Sequence, residues 1–231
     1  MRGSSDPSIR WWWPIYEDIV RTLGIDPAKD EEATLTASRY MLSYGVDFHE
    51  VLGFAKELVK GSDIAVVGAH ESFLKKEIEG EVIVAADGAF NGLVIHRGVI
   101  PEIVVTDFDG VSLALLKRYK PITFAHIHGD NLKRYLMSVP NVIRFVVPTT
   151  QTFPYNPMYN FGGFTDGDRA IAMALALGAR KVRVYGFNRE EIGKFSGKTN
   201  PDVKRVKIEI AYRIIDVLRE IYGSEVIIFD D

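Results

Sequence analysis

The sequence contains no cysteine among its 231 residues. Disulfide frameworks, thiolate metal sites and cysteine nucleophiles are therefore excluded as sources of stability or chemistry. No apolar run reaches the roughly 18 residues that a membrane-spanning helix needs, and the N-terminal residues lack the apolar core of a secretory signal. These absences predict a cytoplasmic protein that has no membrane partner.

An excess of charge of one sign is also missing. The chain has 28 Lys and Arg residues against 31 Asp and Glu residues, a net charge of -3. This balance gives no general attraction to nucleic acid, so no nucleic-acid partner is expected and any phosphate must be held by local groups. Glutamine occurs only at Gln151. Its scarcity, with many Glu, Lys and Arg residues, is typical of heat-adapted proteins. Apolar residues, at 47%, suffice for a sizeable core.

The first 60 residues carry a helical pattern and no strand pattern. Three stretches within residues 10–60 space their apolar side chains by three or four residues and end at glycine. Residues 1–60 are therefore predicted to form a helical subdomain that supports the rest of the chain or an oligomer contact and supplies no metal ligand. Residues 1–8 do not enter this argument. Residues 61–231 are predicted to form an α/β catalytic domain.

Short apolar runs alternate with amphipathic stretches from residue 63 onwards. This alternation predicts an α/β fold, a doubly wound and mostly parallel sheet with helices on both faces. In such sheets, ligands bind beyond the carboxyl ends of the strands. The predicted strands are residues 64–68, 82–86, 102–106, 123–127, 142–147, 181–186 and 225–229. The predicted helices are residues 71–78, 112–119, 130–137, 166–178 and 202–223.

Acidic side chains and histidines follow several of the predicted strands. If the strands are parallel, these residues gather at one edge of the sheet. His126 lies inside an apolar run and is expected to be a core residue, whereas His128 lies at the loop and is a candidate for a phosphate contact. The acidic residues of the group are Asp87, Asp107, Asp109, Asp130, Asp166 and Asp168.

A metal site and simple helix capping are the two interpretations of these aspartates. Asp166 and Asp168 precede a helix and fit both interpretations equally well. Asp107 and Asp109 are separated by one residue, and like charges that close repel each other unless a cation neutralises them. An all-oxygen carboxylate set favours Mg²⁺ held together with substrate phosphates, while His126 and His128 leave zinc or manganese open.

Three further signals concern phosphates and contacts. The strand-to-helix turn containing Gly68 and Ser72 could present backbone N–H groups to a phosphate or could be an ordinary turn. Residues 193–199 lack the spacing of a phosphate-binding loop, but Lys194 and Lys198 could close over phosphates as a basic loop. The three consecutive tryptophans at residues 11–13 predict core packing or a contact in a homo-oligomer.

Four motifs in this order resemble those of a known family. "ADGAF", "VVTDFDG", "HIHGDN" and "GGFTDGDRA" are similar to motifs of the archaeal 6-hydroxymethyl-7,8-dihydropterin pyrophosphokinases, the MptE-like proteins, over roughly residues 60–215. The pattern is distantly similar to the catalytic domain of thiamine pyrophosphokinases. The resemblance implies Mg²⁺-dependent transfer of diphosphate from ATP to the hydroxymethyl group of the pterin, with release of AMP, in folate or methanopterin biosynthesis.

The resemblance also implies roles for particular residues. Asp107, Asp109 and Asp166 would hold the metal, and Asp87, Asp166 or Asp168 would orient the acceptor hydroxyl. The remaining expected ATP contacts are Gly68, Ser72, His128, Asp130, Asn131, Lys194 and Lys198. The expected pterin contacts are Phe90, Asn91, Asn131, Phe161 and Phe164.

Two departures from these relatives and two alternative functions stay open. The chain ends in a predicted long helix and a strand, where thiamine pyrophosphokinases have a β-sandwich, so thiamine is the less favoured acceptor. Asn188 stands where an acidic residue is expected. A metal-dependent glycosyltransferase-like enzyme would instead release a nucleoside diphosphate from a nucleotide sugar, and a non-catalytic module would bind ATP and Mg²⁺ without turnover.

Overall fold

A seven-stranded parallel sheet forms the centre of the fold. The computed structural model describes residues 9–197, 200–224 and 226–229. The strand order is β5-β4-β3-β2-β1-β6-β7, and each pair of neighbours is parallel. The strands are β1 Asp63–Val67, β2 Val82–Ala86, β3 Ile103–Thr106, β4 Ile122–Ile127, β5 Val146–Thr150, β6 Lys181–Tyr185 and β7 Ile227–Phe229. The prediction of a parallel α/β fold is confirmed.

Eight α-helices surround the sheet within the described residues. They are α1 Trp12–Leu23, α2 Pro27–Leu42, α3 Phe48–Val59, α4 Ala89–Gly92, α5 Leu113–Tyr119, α6 Leu132–Ser138, α7 Asp166–Ala176 and α8 Pro201–Tyr222. Two hydrophobic cores lie on opposite faces of the sheet, since alternate strand residues such as Val66 and Val67 belong to different cores. Helices therefore cover both faces, which confirms the doubly wound arrangement. None of the described helices is long and apolar enough to cross a membrane.

The fifth strand begins later than the apolar pattern predicts. Residues 142–147 were expected to form it, but Ile143–Phe145 form a 3₁₀ turn and β5 runs from Val146 to Thr150. The pairing of Val146 with Thr123 of β4 sets this register. The run of apolar residues thus spans a turn and the start of a strand. The strand continues through Thr149 and Thr150, which are polar but buried, so the apolar pattern does not mark where the strand ends. The predicted helix at residues 71–78 is likewise shortened to a 3₁₀ helix, Glu71–Lys75.

The N-terminal helices are confirmed, and their side chains enter both cores. Trp12 is fully buried, and its indole N–H donates to the backbone carbonyl of Gln151 at 2.9 Å. Trp11 and Trp13 pack partly buried against the same core. The tryptophan run therefore makes contacts within the chain, and the homo-oligomer stays a prediction. The division of the chain at residue 60 also stays a prediction.

Deleting residues 1–60 tests that division. We expect residues 61–231 alone to lose cooperative thermal unfolding and to bind a hydrophobic dye, because removal of α1 and α3 exposes apolar surface on the sheet. The measurement is calorimetry of the truncated chain beside the full chain. A cooperative transition near the temperature of the full chain would show instead that residues 61–231 fold as an independent domain.

Candidate active site

The carboxyl ends of β2, β3 and β4 open into one cavity of about 480 Å³. Because these strands are parallel neighbours, the residues that follow them lie at the same edge of the sheet. The N-terminus of α7 and one side of α8 complete the wall. Among the expected site residues, the ones that line the cavity are Gly68, Asp87, Asp107, Asp109, His128, Asp130, Phe164 and Asp166.

Three carboxylates meet at the centre of this edge. Asp87, Asp107 and Asp109 each offer an oxygen, and these oxygens lie within 4.8 Å of one another. We call this set the carboxylate triad; Asp166, also expected to hold the metal, is not part of it, and its role as a ligand stays a prediction. The all-oxygen chemistry of the triad fits a hard divalent cation such as Mg²⁺.

The turn after β3 holds the triad together. Thr106 Oγ1 donates to Asp87 Oδ1 at 2.6 Å and accepts from the amide of Phe108 at 2.7 Å. Asp87 and Phe108 both have positive φ angles, 45° and 68°, which non-glycine residues rarely adopt. A Cβ at Gly110 would collide with Asp87 Oδ2, so glycine lets the turn close around the carboxylate. Backbone strain of this kind is concentrated at functional sites.

Burial and mutual repulsion shift the pKa values of the acids. Burial, with the negative charges of Asp109 and Asp107, raises the pKa of Asp87 to about 8. Burial and the charge of Asp107 raise the pKa of Asp166 well above its usual value. Burial works in the same direction at Asp107, but the hydrogen bond and charge of His128, 3.3 Å away, hold its pKa below the usual value. A bound cation would relieve the repulsion, which supports a metal at the triad.

The pH dependence of stability reports this repulsion. In the unfolded chain Asp87 has a pKa of about 3.9, and in the folded protein about 8, so the folded state binds the proton more tightly. The stability contributed by protonated Asp87 is fully present below about pH 4 and is lost as the pH rises through about 8. Without metal, we expect Tm to fall over this window, and to fall less in Asp87→Asn. The check is a series of melts in chelator; equal pH dependence in both proteins would contradict it.

The two acids at the start of α7 have different surroundings. Asp168 is fully buried and caps the helix, because its carboxylate accepts from the amides of Phe164 and Thr165 at 2.6 and 2.9 Å. Asp168 is absent from the cavity lining, whereas Asp166 is part of it. From the sequence, each of the two residues could either cap the helix or act in the site. In the structure, Asp168 caps the helix and Asp166 faces the cavity.

Arg169 is a site residue that the sequence analysis did not single out. Its guanidinium is buried and donates to Asp166 Oδ1 at 2.9 Å and to the carbonyl of Phe164 at 2.8 Å. It also lines the cavity. The signal was the spacing of three residues between an acid and a base in a predicted helix, which places both side chains on one face.

The remaining expected ATP contacts are distributed unevenly. Asn131 is buried outside the cavity lining, and its side chain bridges the amide of His128 and the carbonyl of His126. Ser72 also lies outside the lining, in a short 3₁₀ helix. Lys194 borders a smaller adjoining cavity together with Arg134. Lys198 lies outside the described residues.

The expected pterin contacts are also divided. Phe164 lines the main cavity. Phe90 is fully buried in the core, and Phe161 packs against the opposite core. Asn91 borders the adjoining cavity and donates to the carbonyl of Gly110.

The cavity continues to the point where the strand order reverses, between β1 and β6. Gly68 follows β1 and lies against the loop after β6, where a Cβ on it would meet the ring of Phe187 at 2.5 Å. Two lysines of α8, Lys204 and Lys207, also line the cavity. Neither lysine had been selected from the sequence, since both belong to a long helix whose charges are typical of a solvated face. The cavity that contains the triad thus also has basic side chains in its lining.

Comparison with known proteins agrees with the four motifs. The family model described as "6-hydroxymethylpterin diphosphokinase MptE-like" matches residues 43–191. The chain is 34% identical over 230 residues to the 6-hydroxymethyl-7,8-dihydropterin pyrophosphokinase of Methanothermobacter thermautotrophicus, covering 91% of this chain and 93% of that protein. Proteins of the same name from Pyrococcus furiosus and Methanocaldococcus jannaschii are 33% and 28% identical, over 81% and 90% of this chain and 82% and 95% of their own lengths. The chain therefore belongs to the MptE-like 6-hydroxymethylpterin diphosphokinase family.

Proposed function

We propose that the chain transfers diphosphate from ATP to the hydroxymethyl oxygen of 6-hydroxymethyl-7,8-dihydropterin and releases AMP. The observation that carries the proposal is the carboxylate triad, placed at the carboxyl ends of parallel strands in a cavity of about 480 Å³, within the usual size range of ligand pockets. The substrate class comes from family membership and from the names of the three relatives. Phosphoryl transfer asks a protein mainly for positioning and charge neutralisation, and the triad suits both tasks.

Asp87, Asp107 and Asp109 would hold Mg²⁺, which supplies neutralisation of the phosphate oxygens of ATP. His128 hydrogen-bonds to Asp107 Oδ2 and so keeps the Asp107 carboxylate oriented within the triad. Lys204 and Lys207 line the same cavity and would attract the remaining phosphate charge. We therefore infer that the nucleotide lies near Gly68 and α8.

The bond changes follow from the products. The hydroxymethyl oxygen attacks the β-phosphorus of ATP, and the bond from that phosphorus to the oxygen bridging to the α-phosphate breaks. That oxygen leaves with AMP, and the hydroxyl proton passes to a carboxylate. Asp166 is the candidate acceptor of this proton because it faces the cavity outside the triad and Arg169 fixes its orientation.

The test is an incubation with ATP, Mg²⁺ and the hydroxymethyl pterin, followed by separation of the products. We expect AMP and diphosphorylated pterin in equal amounts and no AMP when the pterin is omitted. Parallel reactions replace the pterin by thiamine. Faster turnover of thiamine, or formation of ADP in place of AMP, would overturn the proposal.

A further inference from the structure

A second group of polar side chains lines the cavity at the ends of β4 and β5. We call Asp30, His126 and Gln151 the polar subsite. All three are buried, with exposed fractions of 2%, 1% and 4%, yet each contributes to the cavity wall. Polar groups that are buried to this degree are costly unless they are hydrogen-bonded, so their position at a cavity requires a reason. The phosphoryl-transfer chemistry described above uses none of them.

Asp30 determines how the amide of Gln151 is oriented. Asp30 Oδ2 accepts from Gln151 Nε2 at 2.6 Å, and Oδ1 accepts from the amide of Gly129 at 2.6 Å. Because an ionised carboxylate only accepts hydrogen bonds, the NH₂ group of Gln151 must face Asp30 and its carbonyl oxygen must face away. That oxygen, Oε1, lies 3.5 Å from His126 Nε2, too far for a strong hydrogen bond. The oxygen therefore retains its capacity to accept from a ligand.

The polar subsite lies one side chain away from the triad. The rings of His126 and His128 stack with centroids 6.2 Å apart, and His128 reaches Asp107 of the triad. A flat bicyclic ring can therefore rest one edge on the polar subsite while a substituent at its other end points to the triad.

The charge of the polar subsite selects between the two substrates. Asp30 contributes a carboxylate to the subsite, which disfavours triphosphate oxygens, and the buried Arg169, whose charge also acts on His126, is already hydrogen-bonded to Asp166. The lysines of α8, Lys204 and Lys207, line the same cavity but are not part of the subsite. A neutral heterocycle that carries N–H donors suits a wall whose exposed group is a carbonyl oxygen.

We propose that the polar subsite recognises the aminopyrimidinone edge of the acceptor, with Gln151 Oε1 accepting from a ring or exocyclic N–H. Gln151 and His126 contact the acceptor, and Asp30 is a positioning residue that acts through Gln151. This inference rests on the proposed function and adds the residues that choose the acceptor. Asp30 also ties α2 to the active site, which gives the N-terminal helical region a part in recognition.

Two single variants and one double variant test the orientation directly. In Asp30→Asn, the new side chain presents an NH₂ group to Gln151. The side-chain amide of Gln151 should then rotate so that its oxygen faces position 30 and its own NH₂ group faces the cavity. We expect the KM for the pterin to rise about tenfold or more, the effect of one lost hydrogen bond with an unpaired partner, while the KM for ATP stays within about twofold. Gln151→Met, which keeps the size and removes both polar groups, should do the same.

The double variant Asp30→Asn with Gln151→Glu restores the arrangement in reverse. The new amide at position 30 donates to the carboxylate at position 151, whose second oxygen again accepts toward the cavity, and the net charge is unchanged. We expect the KM for the pterin to return most of the way to that of the parent. A purely structural role for Asp30 predicts no such recovery.

Ser38→Ala is the matched control. Ser38 lies in α2 like Asp30 and is buried, but its hydroxyl donates to the carbonyl of Asn156, away from the cavity. It should lower Tm and leave the KM for the pterin unchanged. If Asp30→Asn does not fold, the KM of Gln151→Met for the pterin tests the proposal instead. This variant leaves Asp30 hydrogen-bonded to Gly129 and Tyr16.

The outcomes separate the two proposals. A parent protein that forms diphosphorylated pterin, combined with variants whose KM for the pterin is unchanged, would overturn the polar subsite alone. An equal rise in both KM values, or a double variant no better than Asp30→Asn, would overturn it as well. A parent protein that neither binds nor converts the pterin would remove the proposed function and the polar subsite together.

Discussion

Asp109→Asn is expected to lower the rate of AMP release at saturating Mg²⁺ by a factor on the order of 10² or more, comparable to the removal of a principal electrostatic group in other active sites. The substitution keeps the shape of the side chain and removes one charge of the triad. After burial, the charge of Asp109 is the largest cause of the raised pKa of Asp87, so its loss relieves a repulsion inside the metal-free protein. The metal-free variant should therefore melt at the same temperature as the parent or higher.

The measurements for Asp109→Asn are AMP release and Tm with and without Mg²⁺. Asp216→Asn is the control, because it removes an exposed carboxylate of α8 that does not line the cavity. We expect the parent, but not Asp109→Asn, to gain stability from Mg²⁺. A variant that turns over like the parent, or one that unfolds without metal, would mean that Asp109 serves the turn and not a cation.

Of the single substitutions proposed for this protein, Arg169→Leu should lower the free energy of unfolding the most. The guanidinium is buried and is the only cation hydrogen-bonded to Asp166 among the described residues. Removing one partner of a buried ion pair typically costs about 3 to 5 kcal/mol, because the other charge stays buried and unpaired. The cost should be smaller at low pH, since Asp166 can then take up a proton and become neutral.

Denaturant unfolding of Arg169→Leu at about pH 8 and about pH 5 measures this effect. The double variant Asp166→Asn with Arg169→Leu removes the orphaned charge and should recover part of the stability, though not the activity. Equal stability of Arg169→Leu and the parent at both pH values would show that the ion pair contributes nothing to the fold. A double variant less stable than Arg169→Leu would show that Asp166 is not the source of the cost.

The alternation of apolar runs and amphipathic stretches was sufficient to predict the fold. Strands buried on both faces must be apolar throughout, and helices that cover them must be amphipathic, so both features are written into the local sequence. Boundaries were predicted less well where polar residues are buried. Thr149 and Thr150 complete β5 and are buried, but because they are polar, a search for apolar runs does not include them in the strand.

The sequence by itself also indicated that acids gather at one edge, because parallel strands bring their carboxyl ends together. It could not decide which acids share a cation, since that depends on side-chain directions fixed by turns such as the one around Thr106. Family motifs suggested five aspartates for magnesium and ATP; the structure groups Asp87 with Asp107 and Asp109 and uses Asp168 as a helix cap, and the role of Asp166 as a metal ligand stays a prediction.

Only the tertiary structure brought Asp30, His126 and Gln151 together. They lie up to 121 residues apart along the chain, on a helix, a strand and a strand end, and only His126 belongs to one of the four motifs. A lone glutamine after a strand or an aspartate in the first turn of a helix is ordinary when it is considered alone. Their chemistry arises from mutual orientation in a buried space, where one carboxylate dictates the direction of one amide, and local sequence does not encode that relation.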